Sequence, residues 1–451
     1  MRVSTAAVAG ARVARAVRAA RALGCVLAAG LLVACGGGGE GTGPLAPAQT
    51  TSLPPPGAVP APVSKPVPVP LPAPDPVPDP AAPAFEIRVA TAAQLQQAVA
   101  AANARGGNAQ IVLADGVYTL TQTLQINAPN VWLVGGSGRR EAVIVEGDAM
   151  GPNAAVKNLV RVTGSGFRLQ GMTLRKAGWH LVQIVGEADA DRAVLRECVM
   201  QDAWEQLVKV SFDAARPTIT ADDGLVERCL FEYTAGIGPQ YYIGGIDAHG
   251  SKRWIVRDNV FRDIASPGQA IAEHAIHFWS NAEGTLVERN LIIDCDRGIG
   301  FGLGERGHRG GIIRNNMIWH SANADPFADA GIILENSPDT VVVHNTVFQE
   351  HAYSNAIEYR FPGTTNVRIA NNLVNRLVRS RDGGSGQVTG NVTNATRAMF
   401  RSQQPWDLRL AAAVPGVVDA AVAVPGVTVA DDFDREARPK GAAADVGADE
   451  F

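Results

Sequence analysis

From Gly171 onward one short phrase restarts about every 26 to 31 residues, as GMTLRK, CVMQDA, CLFEYT, NVFRDI, NLIIDC, NMIWHS, NTVFQE and NLVNRL. The leading residues are Gly171, Cys198, Cys229, Asn259, Asn290, Asn316, Asn345 and Asn372, and Asn391 closes a shorter last turn. A period of this length describes a solenoid in which each turn of chain adds one rung, and it excludes a set of independent hairpins. The run after each leader is apolar (Val260-Phe261, Leu291-Ile292-Ile293, Val347-Phe348), as a strand buried against a solenoid core requires. Asn stacked at one bend, about 4.8 Å from rung to rung, can donate to and accept from its neighbours and so satisfy the turn backbone. Cys198 and Cys229 take that place in the early rungs as small fillers.

These features resemble the right-handed parallel β-helix, or pectin-lyase-like, superfamily over residues 86–451. The resemblance implies an all-β, single-stranded right-handed parallel β-helix over residues 86–400 and a C-terminal closing segment over 401–451. The opening phrase VATAAQLQQAVAAANARGGNAQIVLADGVYTL is similar to the first turn of polysaccharide lyases of the chondroitinase B and alginate lyase type. Within it Thr91 can cap a short amphipathic helix that presents Leu95, Ala98, Val99 and Ala102 as a plug for the open end of the core.

The first 34 residues carry Arg2, Arg12, Arg15, Arg18 and Arg21, then an apolar run over 23–34, then Cys35. That order is a signal peptide, and Leu32-Val33-Ala34-Cys35 resembles the lipobox of bacterial lipoproteins, in which the cysteine is acylated. A run of about 12 residues falls short of the roughly 20 that a membrane span needs. The expectation is an exported lipoprotein facing the outer membrane or cell surface, its membrane contact made through lipid on Cys35. Residues 35–85 form the lipidated start and a tether, rich in Pro, Ala and Val over 54–83 and extended like polyproline.

Loss of the signal removes five arginines and leaves 35 basic against 44 acidic residues, a charge near −9. Nucleic acid is therefore not a partner, and a polyanion needs a local basic patch. Cys25 leaves with the signal, so Cys198, Cys229 and Cys295 remain in the domain. Parallel in-register side chains rarely reach disulfide geometry, and buried thiols are expected. The domain is read as a monomer.

Function is sought on the outward face of the second strand of each rung. Aligned on their apolar pairs, these strands are LVQIV from Leu181, LVKVS from Leu207, GIDAH from Gly245, AIHFW from Ala275, GIGFG from Gly298, GIILE from Gly331 and AIEYR from Ala356. Inward positions are then Val182, Val208, Ile246, Ile276, Ile299, Ile332 and Ile357, with Ile184, Val210, Ala248, Phe278, Phe301, Leu334 and Tyr359. The period-two pleat sends the others to solvent. One outward column reads Gln183, Lys209, Asp247, His277, Gly300, Ile333, Glu358; its neighbour reads Val185, Ser211, His249, Trp279, Gly302, Glu335, Arg360. The glycine rung predicts a notch of about 9 to 10 Å, wide enough for one sugar ring. His274 and Arg297 enter at the preceding bend behind Glu273 and Asp296. Glu305, Arg306, His308 and Arg309 lie among glycines on a protruding loop that could fold over a polymer.

Uronate lyases and C5-epimerases remove the proton beside a carboxylate, so they need a cation to neutralise it and a base near neutrality. Catalytic candidates are His277 and His249 as base or acid, Asp247 to orient an imidazole, and Arg297 or Lys209 to neutralise charge. Substrate-binding candidates are Trp279, which would stack on a sugar, His274, Glu335, Arg360, Gly300, Gly302 and Arg306. The segments IDAHGS and HAIHFWS resemble the Asp-Pro-His and His-Gly-Ile segments of alginate C5-epimerases, with Ala248 in place of proline. The later motifs of that family are not found, nor are the calcium ligands and Lys-Arg pattern of chondroitinase B-like lyases.

The leading reading is thus an extracytoplasmic lyase or epimerase acting on an acidic polysaccharide. A glycoside hydrolase would need two carboxylates about 5 to 10 Å apart. Asp247 with Glu335 or Glu358 spans three or more rungs, roughly 14 Å. The remaining alternative is a polysaccharide-binding or adhesive envelope protein without catalysis. No cofactor is expected. Zinc on Asp247, His249, His274 and His277 would require side chains from separate rungs to converge. Calcium at Asp431, Asp432 and Asp434 rests on an acidic turn alone.

Overall fold

The structure is a computed structural model that describes residues 82–322 and 327–451. The export signal, Cys35 and nearly all of the tether lie outside the described residues.

Parallel strands stack into three long sheets, one of twelve strands and two of ten, and each turn of the chain contributes one strand to each sheet. This is the expected right-handed parallel β-helix. Helix α1 (Ala92–Ala104) packs on the first strands, with Thr91 Oγ1 accepting from the Gln94 amide at 3.2 Å. It buries Leu95, Ala98, Val99 and Ala102, the four residues that the sequence placed on its apolar face.

The repeated phrase opens the strands of one ten-stranded sheet. The residue before each leader from Cys198 to Asn372 is left-handed: Glu197, Arg228, Asp258, Arg289, Asn315, His344 and Asn371 have φ between 52° and 57°. Such a conformation costs a residue with a Cβ about 1–2 kcal/mol. The side-chain ladder that it makes possible offsets this. Each Asn Nδ2 donates to the Oδ1 of the next, from Asn259 to Asn290 (2.9 Å), to Asn316 (3.0 Å), to Asn345 (2.9 Å), to Asn372 (2.9 Å) and to Asn391 (2.8 Å). The same oxygens accept the backbone N–H of the preceding leader, so the bend is buried and satisfied. The cysteines continue the column: the Cys198 amide donates to Cys229 Sγ at 3.4 Å, and the Cys229 amide to Asn259 Oδ1 at 2.9 Å. Cys198, Cys229 and Cys295 are free, buried thiols.

The C-terminal residues 401–451 pack along the flank of the solenoid. Phe400, Leu408, Leu410, Val417, Phe433 and Val446 cover the outward side chains Leu230, Val260, Leu291, Met317 and Phe348 of the leader sheet. The Arg289 guanidinium donates to Asp431 at 2.6 Å, and Arg435 pairs with Asp258. Asp434 is clasped by Arg409, and Asp432 accepts the amides of Glu436 and Glu450. Asp431 thus ties the tail to the solenoid, while Asp432 and Asp434 hold the tail's own turns, so this acidic turn has protein partners for its carboxylates without calcium.

Candidate functional site

The other ten-stranded sheet carries the site. Its central strands are β1 (Val182–Val185), β2 (Val208–Ser211), β3 (Ile246–His249), β4 (His274–Trp279), β5 (Arg297–Phe301), β6 (Ile332–Glu335) and β7 (Asn355–Arg360). Their register is Val182, Val208, Ile246, Ile276, Ile299, Ile332, Ile357, which places Gln183, Lys209, Asp247, His277, Gly300, Ile333 and Glu358 in one outward column. The inward side chains are buried.

Direction along the pleat does not give exposure. Asp247, His277, Ile333 and Glu358 point away from the core and are nonetheless buried, because neighbouring chain folds over the sheet. Glu358, for example, accepts from Tyr353 Oη at 2.6 Å and pairs with Arg381 at 2.8 Å. The glycine notch is likewise absent. A Cβ on Gly300 would stand 2.5 Å from His274 Nε2, and one on Gly302 would stand 1.7 Å from the Glu335 carbonyl oxygen. The space left by Gly300 holds the His274 ring from the adjacent rung, not a sugar. Gly302 is needed for a turn at φ 81°.

Five predicted residues do converge. Lys209 Nζ bonds to Asp247 Oδ2 and lies 2.8 Å from His249 Nε2. Trp279 Nε1 donates to Asp247 Oδ1 at 2.6 Å, so both oxygens of this buried carboxylate are held. The His249 ring packs against Trp279 with centroids 4.3 Å apart. Arg306 arches back from its loop, with its guanidinium carbon 4.1 Å from the Trp279 ring centroid and one nitrogen 3.3 Å from His249 Nδ1. Burial raises the Asp247 carboxyl, but the His249 hydrogen bond and the Lys209 charge outweigh it and hold the group well below the ordinary carboxylate range. Burial lowers His249, against the opposing pull of Asp247, and so keeps the imidazole neutral at pH 7.

Behind Trp279 stands a second layer. His277 lies parallel to the indole at 5.2 Å, and His274 tilts against His277 at 4.4 Å. The remaining candidates sit elsewhere or do other work. Arg297 faces Asp329 at 3.4 Å. Asp296 accepts the amides of Ser266 and Ala272 and so clamps a loop, which removes it as the acid partner of Arg297 in the groove. Glu335 pairs with Arg360 at 2.9 Å and accepts the Gly304 amide at 2.6 Å, holding the turn that carries Arg306. His308 does not protrude: it is buried, stacks on Phe301 at 3.9 Å and bonds to Thr285 at 3.0 Å. Asp247, Glu335 and Glu358 are each tied to a cation, so none is left as the free acid that the hydrolase reading needs.

Among solved structures the chain is similar to pectate lyase Pel9A, with a TM-score of 0.46 and 14% identity over 78% of this chain and 90% of that one. It is similar to an alginate lyase from Paenibacillus sp. str. FPU-7, with a TM-score of 0.38 and 13% identity over 69% of this chain and 99% of that one. A mannuronic acid specific polysaccharide family 6 lyase from human gut microbiota gives 0.42 and 16%, over 67% and 77%. No family model matches the sequence, and no curated protein matches it. The assignment of a parallel β-helix rests on the strand order of the chain itself.

Sequence reasoning missed two side chains at this site. Ser280 Oγ lies 3.3 Å from His249 Nδ1. Tyr242, about two-fifths exposed, lies in electrostatic range of Lys209, Asp247 and Glu273. Burial raises its phenol, which stays protonated at neutral pH. The signal for it was the aromatic pair Tyr241-Tyr242 just ahead of β3, in the segment that bends onto the sheet.

Proposed function

We propose that the protein acts on a uronate-containing polysaccharide, as a lyase or C5-epimerase, with His249 as the base. The observation that carries this reading is the joined set of Lys209, Asp247 and His249 beneath an arginine stacked on Trp279. A neutral imidazole, a carboxylate to orient it and an exposed cation beside them are the parts that proton abstraction beside a carboxylate requires.

In the resting site Lys209, which can only donate, faces Nε2, while Arg306 stands at Nδ1. A bound uronate carboxylate draws Arg306 to itself and frees Nδ1. For Nδ1 to be the base the ring proton must sit on Nε2, facing Asp247 Oδ2 at 3.4 Å, so Lys209, which cannot accept, turns from Nε2 to Asp247 alone. Nδ1 takes the proton from carbon 5 of the sugar, and Arg306 stabilises the charge that develops on the carboxylate. In a lyase the electron pair forms the double bond to carbon 4, the bond from carbon 4 to the glycosidic oxygen breaks, and the Tyr242 phenol protonates the leaving oxygen. In an epimerase a proton returns to carbon 5 from the opposite face and the chain stays intact.

Incubation with uronic polymers separates the readings. A lyase releases unsaturated products that absorb in the ultraviolet, and an epimerase exchanges the carbon-5 proton with deuterated water without cleavage. His249→Ala is expected to lower kcat by about 100-fold or more. Neither product nor exchange on any uronic polymer would leave only a binding protein.

A further inference from the structure

The layer behind Trp279 contains a set of buried polar atoms without partners. His274 Nδ1 and Nε2, His277 Nδ1 and Glu273 Oε2 all lack a hydrogen bond among the described residues. His274 and His277 are 3% and 0% exposed, so water does not satisfy them. Unpaired buried polar atoms cost about 1–3 kcal/mol each. Four in one place call for an explanation.

The geometry supplies one. His277 Nε2 lies 3.1 Å from the Gly302 carbonyl oxygen and must carry a hydrogen to make that bond. With the proton fixed there, Nδ1 turns a lone pair toward Glu273 Oε2 at 3.5 Å and Asp247 Oδ1 at 3.8 Å. Acceptors facing one another across these distances need a proton or a metal ion between them. One ligand atom from each of Glu273, His274 and His277 falls within 4.8 Å of the others. Two ligands of a tetrahedral zinc ion, each about 2.0–2.1 Å from it, stand about 3.4 Å apart. The His277 and Glu273 atoms already meet that spacing, and the His274 nitrogen lies within 4.8 Å of both.

We propose that Glu273, His274 and His277 bind one divalent transition-metal ion of the zinc type. Two imidazoles and a carboxylate suit that class and do not suit calcium or magnesium, which take all-oxygen shells. The carbonyl bond at His277 Nε2 is the outer contact that orients a metal-binding histidine. Glu273, with its side chain 24% exposed, lies on the solvent side and gives the ion its path of entry. Three protein ligands leave the fourth position to water. Gly300 has its role here: any side chain at that position would displace the His274 ring. The proposed set differs from the one considered from the sequence: Glu273 joins His274 and His277, while Asp247 and His249 are tied to Lys209.

The proposal does not depend on the reaction assigned to His249, and its test uses no substrate. The purified full-length protein, stripped with a chelator, is titrated with zinc against a chromophoric competitor and with cobalt by visible absorption. One equivalent should bind, and cobalt should give the intense bands of a tetrahedral site. His274→Gln and Glu273→Gln should weaken zinc by about 100-fold or more. Gly300→Ala, which keeps every ligand, should weaken it by about 10-fold, and His249→Ala should bind like the parent, with circular dichroism confirming that each variant is folded. The proposal is overturned if zinc does not bind, if His274→Gln binds as tightly as the parent, or if nitrogen NMR finds both His277 nitrogens protonated at pH 7 with zinc present.

Discussion

At the scale of single residues, the site depends on competition for one imidazole. Burial is the largest influence on His249 and lowers it; Asp247 opposes, while Lys209 and Arg306 reinforce the lowering. The base is active when neutral, so the rate should fall on the acid side with an inflection below the ordinary imidazole value of about 6.5. Removing a positive neighbour weakens the lowering. Arg306→Gln should therefore move that inflection upward while raising KM, and an unchanged inflection in the pH profile of kcat/KM would exclude contact between the two groups in the working enzyme. Lys209, Asp247, His249, Trp279 and Arg306 were legible in the sequence because strand register alone aligns the first four. What register does not encode is cover. The chain segments that bury His277 and Glu358, and the His274 ring that fills the place of the missing Gly300 side chain, follow from contacts between rungs that no local pattern announces. His308 was misread for the same reason, since a histidine between glycines reads as a loop until Phe301 and Thr285 are found against it.

At the scale of elements, the Asn column is the device that makes one rung resemble the next, and it was readable because every member sits at the same place in its phrase. Asn290 shows how much each contributes: its Oδ1 accepts from Asn259, and its Nδ2 donates to the Val256 carbonyl and to Asn316. Asn290→Ala strands several buried groups at once and should cost about 2–4 kcal/mol, seen as a lower urea midpoint without a change in slope. Buried histidines make the rungs sensitive to acid. Burial lowers His180 to about 4 and His308 and His344 to about 3. Their folded values lie below the unfolded one, so their contribution is complete above about pH 6.5 and is lost as pH falls toward 4 and then 3. Each should remove up to about 1.4 kcal/mol per pH unit across that window. Equal denaturation midpoints at pH 7.5 and pH 5 would contradict this.

At the scale of the whole molecule, the described domain follows a segment whose reading rests on sequence alone. If Cys35 carries lipid, Cys35→Ser should abolish incorporation of labelled fatty acid and move the protein from the membrane fraction to the soluble one; retention of label would place the modification elsewhere. The flank strap was the least legible part of the architecture, because residues 401–451 have neither period nor regular strands, and their hold on the solenoid depends on distant pairs such as Arg435 with Asp258, 177 positions apart. A bare solenoid is built from neighbours and can zip up rung by rung as it is synthesised. This one has a fastening that follows the solenoid in the chain and reaches back to its middle. Its leader sheet has Leu230, Val260 and Leu291 uncovered until residues 401–451 fold back onto it, so a chain interrupted just after its last rung would present a wound but adhesive solenoid, and the segment that follows acts as the cover for that surface.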